Sequence, residues 1–309
     1  MSSDAAALPD GDSPIRLGAV SYLNTLPLIE GLGKLRDVSL TLTAPARLID
    51  LLLEGRIDVG LVSLIDAQRS AQPLALIPVG MIASDGATLT VRLFSRVPPG
   101  EIKKLSVDAD SHTSVALARL ILIERFGVRP EIEEVDADAL RARIESGASG
   151  GAAAAGTAGG WPEALLVIGD KVVTDSPPAV LYPHQMDLGQ AWKEMTGLPF
   201  VYAMWMCRAA EADSERVRLA AAMLDRQRRH NALRLDWIVD ARAAARRWPE
   251  DLAREYVGRR LEYEPREQHR EAVRRFFELC ADRGLVERRR QVEWVGERHE
   301  GTEARRHEG

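Results

Sequence analysis

Apolar and polar positions change period several times along the first sixty residues, and each change marks an element. IRLGAV (residues 15–20) alternates in the period of two that a strand requires, and LPLIEGL follows as a short helix stopped at Gly33. VSLTLTA (38–44) alternates again and predicts a second strand. In PARLIDLLLEGR, Pro45 stands near a helix start, the leucines recur on one helical stripe, and Gly55 falls where a left-handed C-cap belongs. IDVGLV (57–62) is apolar enough for a strand buried on both faces. Strand, helix, strand, helix, strand predicts an α/β fold with a parallel sheet.

Two more apolar runs, LALIPVGMIAS (74–84) and ATLTVRLFS (87–95), are separated by the turn chemistry of Ser84, Asp85 and Gly86. VPPGEIKKL interrupts the pattern, and from Lys104 a second α/β rhythm begins: LSVDA, SVALARLILIERFG, PEIEEVD, ADALRARIES and ALLVIGD. This predicts a second lobe. Before its last strand lies SGASGGAAAAGTAGG (146–160), whose six glycines suit a surface loop. QMDLGQAWKEMTGLP predicts a helix ending at Gly197, FVYAMWMCR (200–208) a buried strand, and Glu211 to Leu285 a set of amphipathic helices. Residues 286–309 carry six arginines against six acidic residues and read, like residues 1–13, as a solvated tail.

Composition narrows the function more than the fold. Lys and Arg total 41 against 46 Asp and Glu, a net charge of −5, so no global basic field draws nucleic acid or an anionic membrane. Aromatics at 5% are too few for a base-stacking surface. The two cysteines, Cys207 and Cys280, are far apart and lack metal-ligand spacing, and the first eighteen residues lack the basic and apolar regions of a secretory signal. The expectation is a cytoplasmic protein that needs no metal or other cofactor and has neither nucleic acid nor membrane as partner.

In open α/β sheets, ligands bind beyond the carboxyl ends of strands, where helix N-termini present free N–H groups. Four polar clusters fall at such joints: Ser21 to Thr25, Ser63, Ser84 to Thr90, and Ser111 to Ser114. Each also contains ordinary helix-capping residues. None brings a lysine or arginine, and neutral donors of this kind clamp carboxylates well once water is excluded. Gly169 and Asp170 of VIGD end a further strand as turn formers or pocket wall. There is no GxSxG elbow, since the one match, GASGG (147–151), falls in the glycine-rich stretch, and Walker, HExxH and strand-following GxGxxG signatures are absent, so the residues alone describe a two-lobed binder of a small polar, anionic molecule.

SYLNTLPL, EGRIDVGLVSLID, TVRLFSRVPPGEIKKLSVDADSHTSVALARLIL, LLVIGD and DLGQAWKEMTGLPFVYAMW together resemble the chorismate dehydratases of the futalosine route to menaquinone, in order and at that family's spacing. The resemblance implies a periplasmic-binding-protein-like fold of type II, with two lobes around a cleft and C-terminal helices. The first lobe would comprise residues 14–95 and 205–285 and the second 96–204, with crossings near Val91 to Arg96 and Pro199 to Met204. The implied reaction removes water from chorismate, the implied partner, to give 3-[(1-carboxyvinyl)oxy]benzoate without a cofactor.

Carried over to this chain, Asn24 would be catalytic, and Ser21, Thr90, Ser111, Thr113, Ser114 and Asp170 would bind substrate. His112 stands where the family often has Arg or Lys, which argues against a charged clamp there. Two alternatives share the fold. One is a non-catalytic binder of small anions, which would ordinarily carry a signal or lipobox cysteine. The other is the sibling dihydroxynaphthoate synthase, which lacks the SYLNTLPL opening.

Overall fold

The computed structural model describes residues 13–108, 111–135 and 161–297; the helix expected over ADALRARIES and the glycine-rich loop 146–160 lie outside the described residues. Twelve strands form two sheets among the described residues. The larger contains β1 (Ile15–Ala19), β2 (Val38–Leu42), β3 (Val59–Ser63), β4 (Leu74–Ser84), β10 (Phe200–Arg208), β11 (Leu261–Glu262) and β12 (Glu293–Trp294), in the order β11-β4-β10-β3-β1-β2 with β12 also against β4. The smaller has the order β7-β6-β8-β5-β9, from β5 (Val91–Ser95), β6 (Lys104–Asp108), β7 (Glu131–Val135), β8 (Ala164–Ile168) and β9 (His184–Asp187).

The parallel core predicted from the opening rhythm is present, since β1 pairs in parallel with both β2 and β3. Each sheet also takes a strand of opposite sense: β10 runs antiparallel to β3 and β4, and β5 runs antiparallel to β8 and β9. Both strands carry the chain after it has changed sheets. They make each sheet mixed, and they move the expected crossings. The chain leaves the larger sheet after Ser84 and is already in the smaller one at Val91, so residues 85–90 cross, rather than 91–96. It returns between Asp187 and Phe200, so the second crossing lies before β10 rather than inside it. A period-two apolar run announces a strand without saying which sheet receives it.

The short helices follow the predicted signals closely. Pro45 opens α2 (Pro45–Leu53), following α1 (Leu26–Ile29), and Gly55 beyond α2 has φ +70°. The helix after β1 breaks two residues sooner than expected, at Gly31 with φ +92°, because the left-handed turn is taken there. After α3 (Asp66–Arg69), the long buried helix α4 (His112–Phe126) closes at Gly127 with φ +70°. α5 (Lys171–Thr174) follows β8, and α6 (Leu188–Thr196) ends at Gly197 with φ +74°, as predicted. The C-terminal helical region is α7 (Glu215–Ala232), α8 (Leu235–Arg242), α9 (Glu250–Glu255) and α10 (Glu267–Asp282).

Residues 286–297 are not a tail. Leu285 and Val286 are buried, β12 pairs in parallel with β4 at Ala75 and Leu76, and the Arg270 guanidinium lies 4.4 Å over the Trp294 ring. The dense charge of this segment masked the alternation of Val292 and Trp294 that inserts it into the sheet edge.

The second crossing is wedged by an edge-to-face aromatic cluster. Trp192 of α6 lies 5.2 Å from Phe200, which lies 4.8 Å from Tyr202 and 5.0 Å from Phe276 of α10. Such pairs add about 0.5 to 1.5 kcal/mol each beyond area burial, so this junction is a rigid fulcrum. Among the described residues no helix is long and apolar enough to cross a membrane.

Candidate active site

The two sheets face one another across a cleft of about 660 Å³ of empty space, part of it open to solvent. Its floor is the N-terminus of α4. Ser111 is the N-cap and makes no side-chain capping bond, and Thr113 and Ser114 follow; all three are buried. The free N–H groups and positive dipole end of this helix therefore sit beside three hydroxyls, a natural seat for a carboxylate. Thr113 Oγ1 also accepts the Ile65 N–H at 3.1 Å, which ties the floor to the larger sheet.

The opposite wall comes from the joint after β1. Asn24 and Tyr22 line the cleft, while Thr25 is buried and donates to the Tyr22 carbonyl at 2.9 Å, closing the turn from within. Tyr22 packs against Gly169, where an added Cβ would meet the tyrosine ring at 3.4 Å and where φ is +67°. That position needs glycine for its backbone conformation.

Thr88 and Thr90 reach the cleft from the first crossing. Between them Leu89 has φ +73°, a conformation costly for a residue with a branched side chain. Asp187, at the end of β9, holds it in place. One carboxylate oxygen accepts the Thr88, Gly189 and Gln190 N–H groups at 3.0, 3.0 and 3.1 Å, and the other accepts Leu89 at 2.7 Å. A single carboxylate thus caps α6 and pins the first crossing against the second.

Five of the seven residues proposed from sequence line this cleft: Asn24, Thr90, Ser111, Thr113 and Ser114. Ser21 does not. It is exposed, and its carbonyl accepts Arg246 Nε at 3.2 Å, because the chain turns inward only after it. Asp170 also lies outside the lining, with both carboxylate oxygens 3.3 Å from the Leu23 N–H. Burial raises its pKa above the usual carboxylate value, against the opposing Leu23 bond. Asp170 therefore braces the joint that presents Asn24. His112 sits on the rim, its Nδ1 2.7 Å from Asp66 Oδ1.

Sequence reasoning passed over two tyrosines in the lining, Tyr202 and Tyr256. Tyr202 lies 3.2 Å from Ser84 Oγ, and Tyr256 lies 2.5 Å from Thr90 Oγ1. Burial pushes both phenols well above their ordinary pKa, so both stay protonated at neutral pH. FVYAMWMCR was read as a buried strand, and Tyr256 fell within the region read as amphipathic helices. Only the tertiary fold brings Tyr256 to Thr90, 166 residues away.

Among the described lining residues none is Lys, Arg, Asp, Glu or His. The cleft is a set of neutral donors around a helix N-terminus. It can hold an anion and respond to charge that develops on it, but it presents no side chain suited to take a proton at neutral pH.

Two α/β lobes, two crossings and a cleft between them define a periplasmic-binding-protein-like fold. Solved structures share it at low identity. A protein of Archaeoglobus fulgidus superposes with TM-score 0.63 at 14% identity, covering 88% of this chain and 98% of its own. The alkanesulfonate-binding protein of Xanthomonas axonopodis pv. citri, bound to MOPS, superposes with TM-score 0.60 at 15% identity, covering 93% of this chain and 98% of its own. The chain belongs to the menaquinone biosynthesis family, whose sequence profile matches residues 15–282. A relative from Thermus thermophilus named chorismate dehydratase is 29% identical over 210 residues, 63% of this chain and 70% of that protein.

Proposed function

We propose that the protein is a chorismate dehydratase, a carbon–oxygen hydro-lyase working in the cytoplasm. It eliminates water from chorismate to give 3-[(1-carboxyvinyl)oxy]benzoate. Chorismate carries two carboxylates, and its C3 proton is vinylogous to the ring carboxylate. Loss of that proton gives an extended enolate, with the new charge reaching the ring carboxylate. Departure of the C4 hydroxyl then aromatises the ring, which supplies the driving force.

The observation that carries this reading is a cleft of neutral donors at the α4 N-terminus, in a chain of the menaquinone biosynthesis family. Ser111, Thr113 and Ser114, with the helix end, suit one carboxylate. Thr90 from the crossing suits the other. Donors that tighten on an oxyanion as its charge grows stabilise the transition state more than the bound substrate. Asn24 faces this space from the β1 joint and, as an amide, orients the ring and hydrogen-bonds the leaving hydroxyl.

With no basic side chain among the described lining residues, the enolpyruvyl carboxylate of the substrate itself takes the C3 proton and passes it to the departing C4 hydroxyl, which leaves as water. The lobes supply proximity and exclude water. Asp170 and His112, the nearest alternatives, are engaged with Leu23 and Asp66 outside the lining.

The test is incubation of purified protein with chorismate and chromatography for the enolpyruvyl benzoate. Tight binding without product would leave a non-catalytic anion binder. If Asp170→Asn or His112→Ala bound chorismate normally yet made no product, a protein base would replace the substrate carboxylate.

A further inference from the structure

Three parts of the chain meet at one phenol. Tyr256 opens a π-helical turn, Tyr256–Arg260, between α9 and β11. Its ring stacks flat on Trp248, with centroids 5.0 Å apart and an interplanar angle of 9°. Its hydroxyl lies 2.5 Å from Thr90 Oγ1 on the crossing, and Asn24 lines the same cleft from the β1 joint. π-Turns interrupt helices mostly where a side chain must be delivered to a site.

The direction of this bond follows from counting protons. The Tyr256 side chain is buried, so its proton needs an acceptor, and Thr90 Oγ1 at 2.5 Å is the partner the structure gives it. A phenol has one proton, and donation to Thr90 Oγ1 is the arrangement that satisfies it. Thr90 then has an oxygen already satisfied and a proton to give, and its side chain lines the cleft. Each donation polarises the next, so the last O–H in the row is the strongest donor.

We propose that Tyr256 is a positioning residue: by donating to Thr90 it turns the Thr90 hydroxyl proton into the cleft, onto the ring carboxylate of the substrate. This rests on the dehydratase reading and adds a residue to it. The ring carboxylate gains charge as the C3 proton leaves, so a directed donor there acts on turnover more than on binding.

Tyr256→Phe keeps the stack on Trp248 and removes only the hydroxyl. Its kcat for chorismate should fall by about 10-fold or more while KM stays within about 3-fold. Its melting temperature should remain close to wild type. If the hydroxyl acts through Thr90, Thr90→Val combined with Tyr256→Phe should be no slower than Thr90→Val alone.

A wild-type kcat in Tyr256→Phe, losses that multiply in the double variant, or a variant that melts far below wild type would each overturn the role. Wild-type protein that makes no product would instead sink the dehydratase reading. The Tyr256 role would then be read by calorimetry with chorismate, where Tyr256→Phe should weaken binding about 2- to 3-fold and unchanged affinity would refute it.

Discussion

The cleft and its rim use opposite chemistry. The described cleft lining carries no formal charge and works through hydroxyls, an amide and a helix end. The rim, by contrast, is crossed by charged contacts between the lobes. Asp66 faces His112 at 2.7 Å, Arg247 binds Asp175 at 2.6 Å and 2.9 Å, and Asp170 accepts the Leu23 N–H. A buried cation would hold the substrate's carboxylates before and after reaction with nearly equal strength. Neutral donors hold the ground state less tightly and leave more of their effect for the charge that develops. Charge at the rim is engaged in these contacts between the lobes and aligns them without entering the chemistry.

If that division is right, substitutions in the cleft strike turnover and those at the rim barely register. The largest effect should come from Asn24→Ala. Dehydration should fall by about 10² to 10³-fold, the cost of losing one directed donor, with the thermal melt little changed. Equal losses of activity and stability would mean that Asn24 is only a structural cap.

The fulcrum between the two regions should break next. A Cβ at Gly189 would stand 2.5 Å from the Gly86 carbonyl oxygen, 2.6 Å from the Tyr202 hydroxyl and 2.9 Å from Ser84 Oγ. The nearest of these is backbone and cannot rotate away. Gly189→Ala should therefore cost about 1 to 3 kcal/mol in urea unfolding and displace Thr88 and Thr90 with the crossing. Unchanged stability would show that the crossings slide freely.

Arg247→Ala sharpens the rim side. Arg247 is 55% exposed and its partner Asp175 12%, so the pair should contribute less than about 1 kcal/mol, and less still at high salt. A large loss of turnover here would place charge inside the chemistry after all.

What the sequence made legible follows the same line. The β1 joint and the helix stops at Gly55 and Gly197 are local signals, carried by residues close in sequence, and the structure has them where the pattern puts them, while α4 begins two residues before the expected Ser114. The Tyr256–Thr90 contact joins positions 166 residues apart, and β12 depends on an edge of β4 some 218 residues earlier. No periodicity reports such distances. The helix read over QMDLGQAWKEMTGLP starts only at Leu188, after β9, and its cap Asp187 was not legible as the group that holds a left-handed Leu89, because that strain exists only once the crossing is folded. Ser21 and Asp170 were placed in the cleft because they adjoin its motifs. Both lie in turns beyond the ends of β1 and β8, where the backbone direction changes residue by residue and no period assigns a side.

The smallest effect, and the most direct measure of what charge costs near the cleft, belongs to Asp170. Burial holds its pKa above the ordinary 3.8, so the folded protein binds this proton more tightly than the unfolded chain does. Its favourable contribution is complete below pH 3.8 and is lost as pH rises through the higher folded value; at neutral pH the ionised carboxylate is a net cost. Asp170→Asn cannot ionise and keeps a carbonyl oxygen for the Leu23 N–H. The variant should be slightly more stable than wild type at pH 7, with the gap closing as pH falls toward 4, and it should still dehydrate chorismate. Urea unfolding at both pH values decides this. A variant less stable at pH 7 would mean that the charge itself braces the Asn24 joint, and the contrast between a neutral interior and a charged rim would have to be drawn one residue further in.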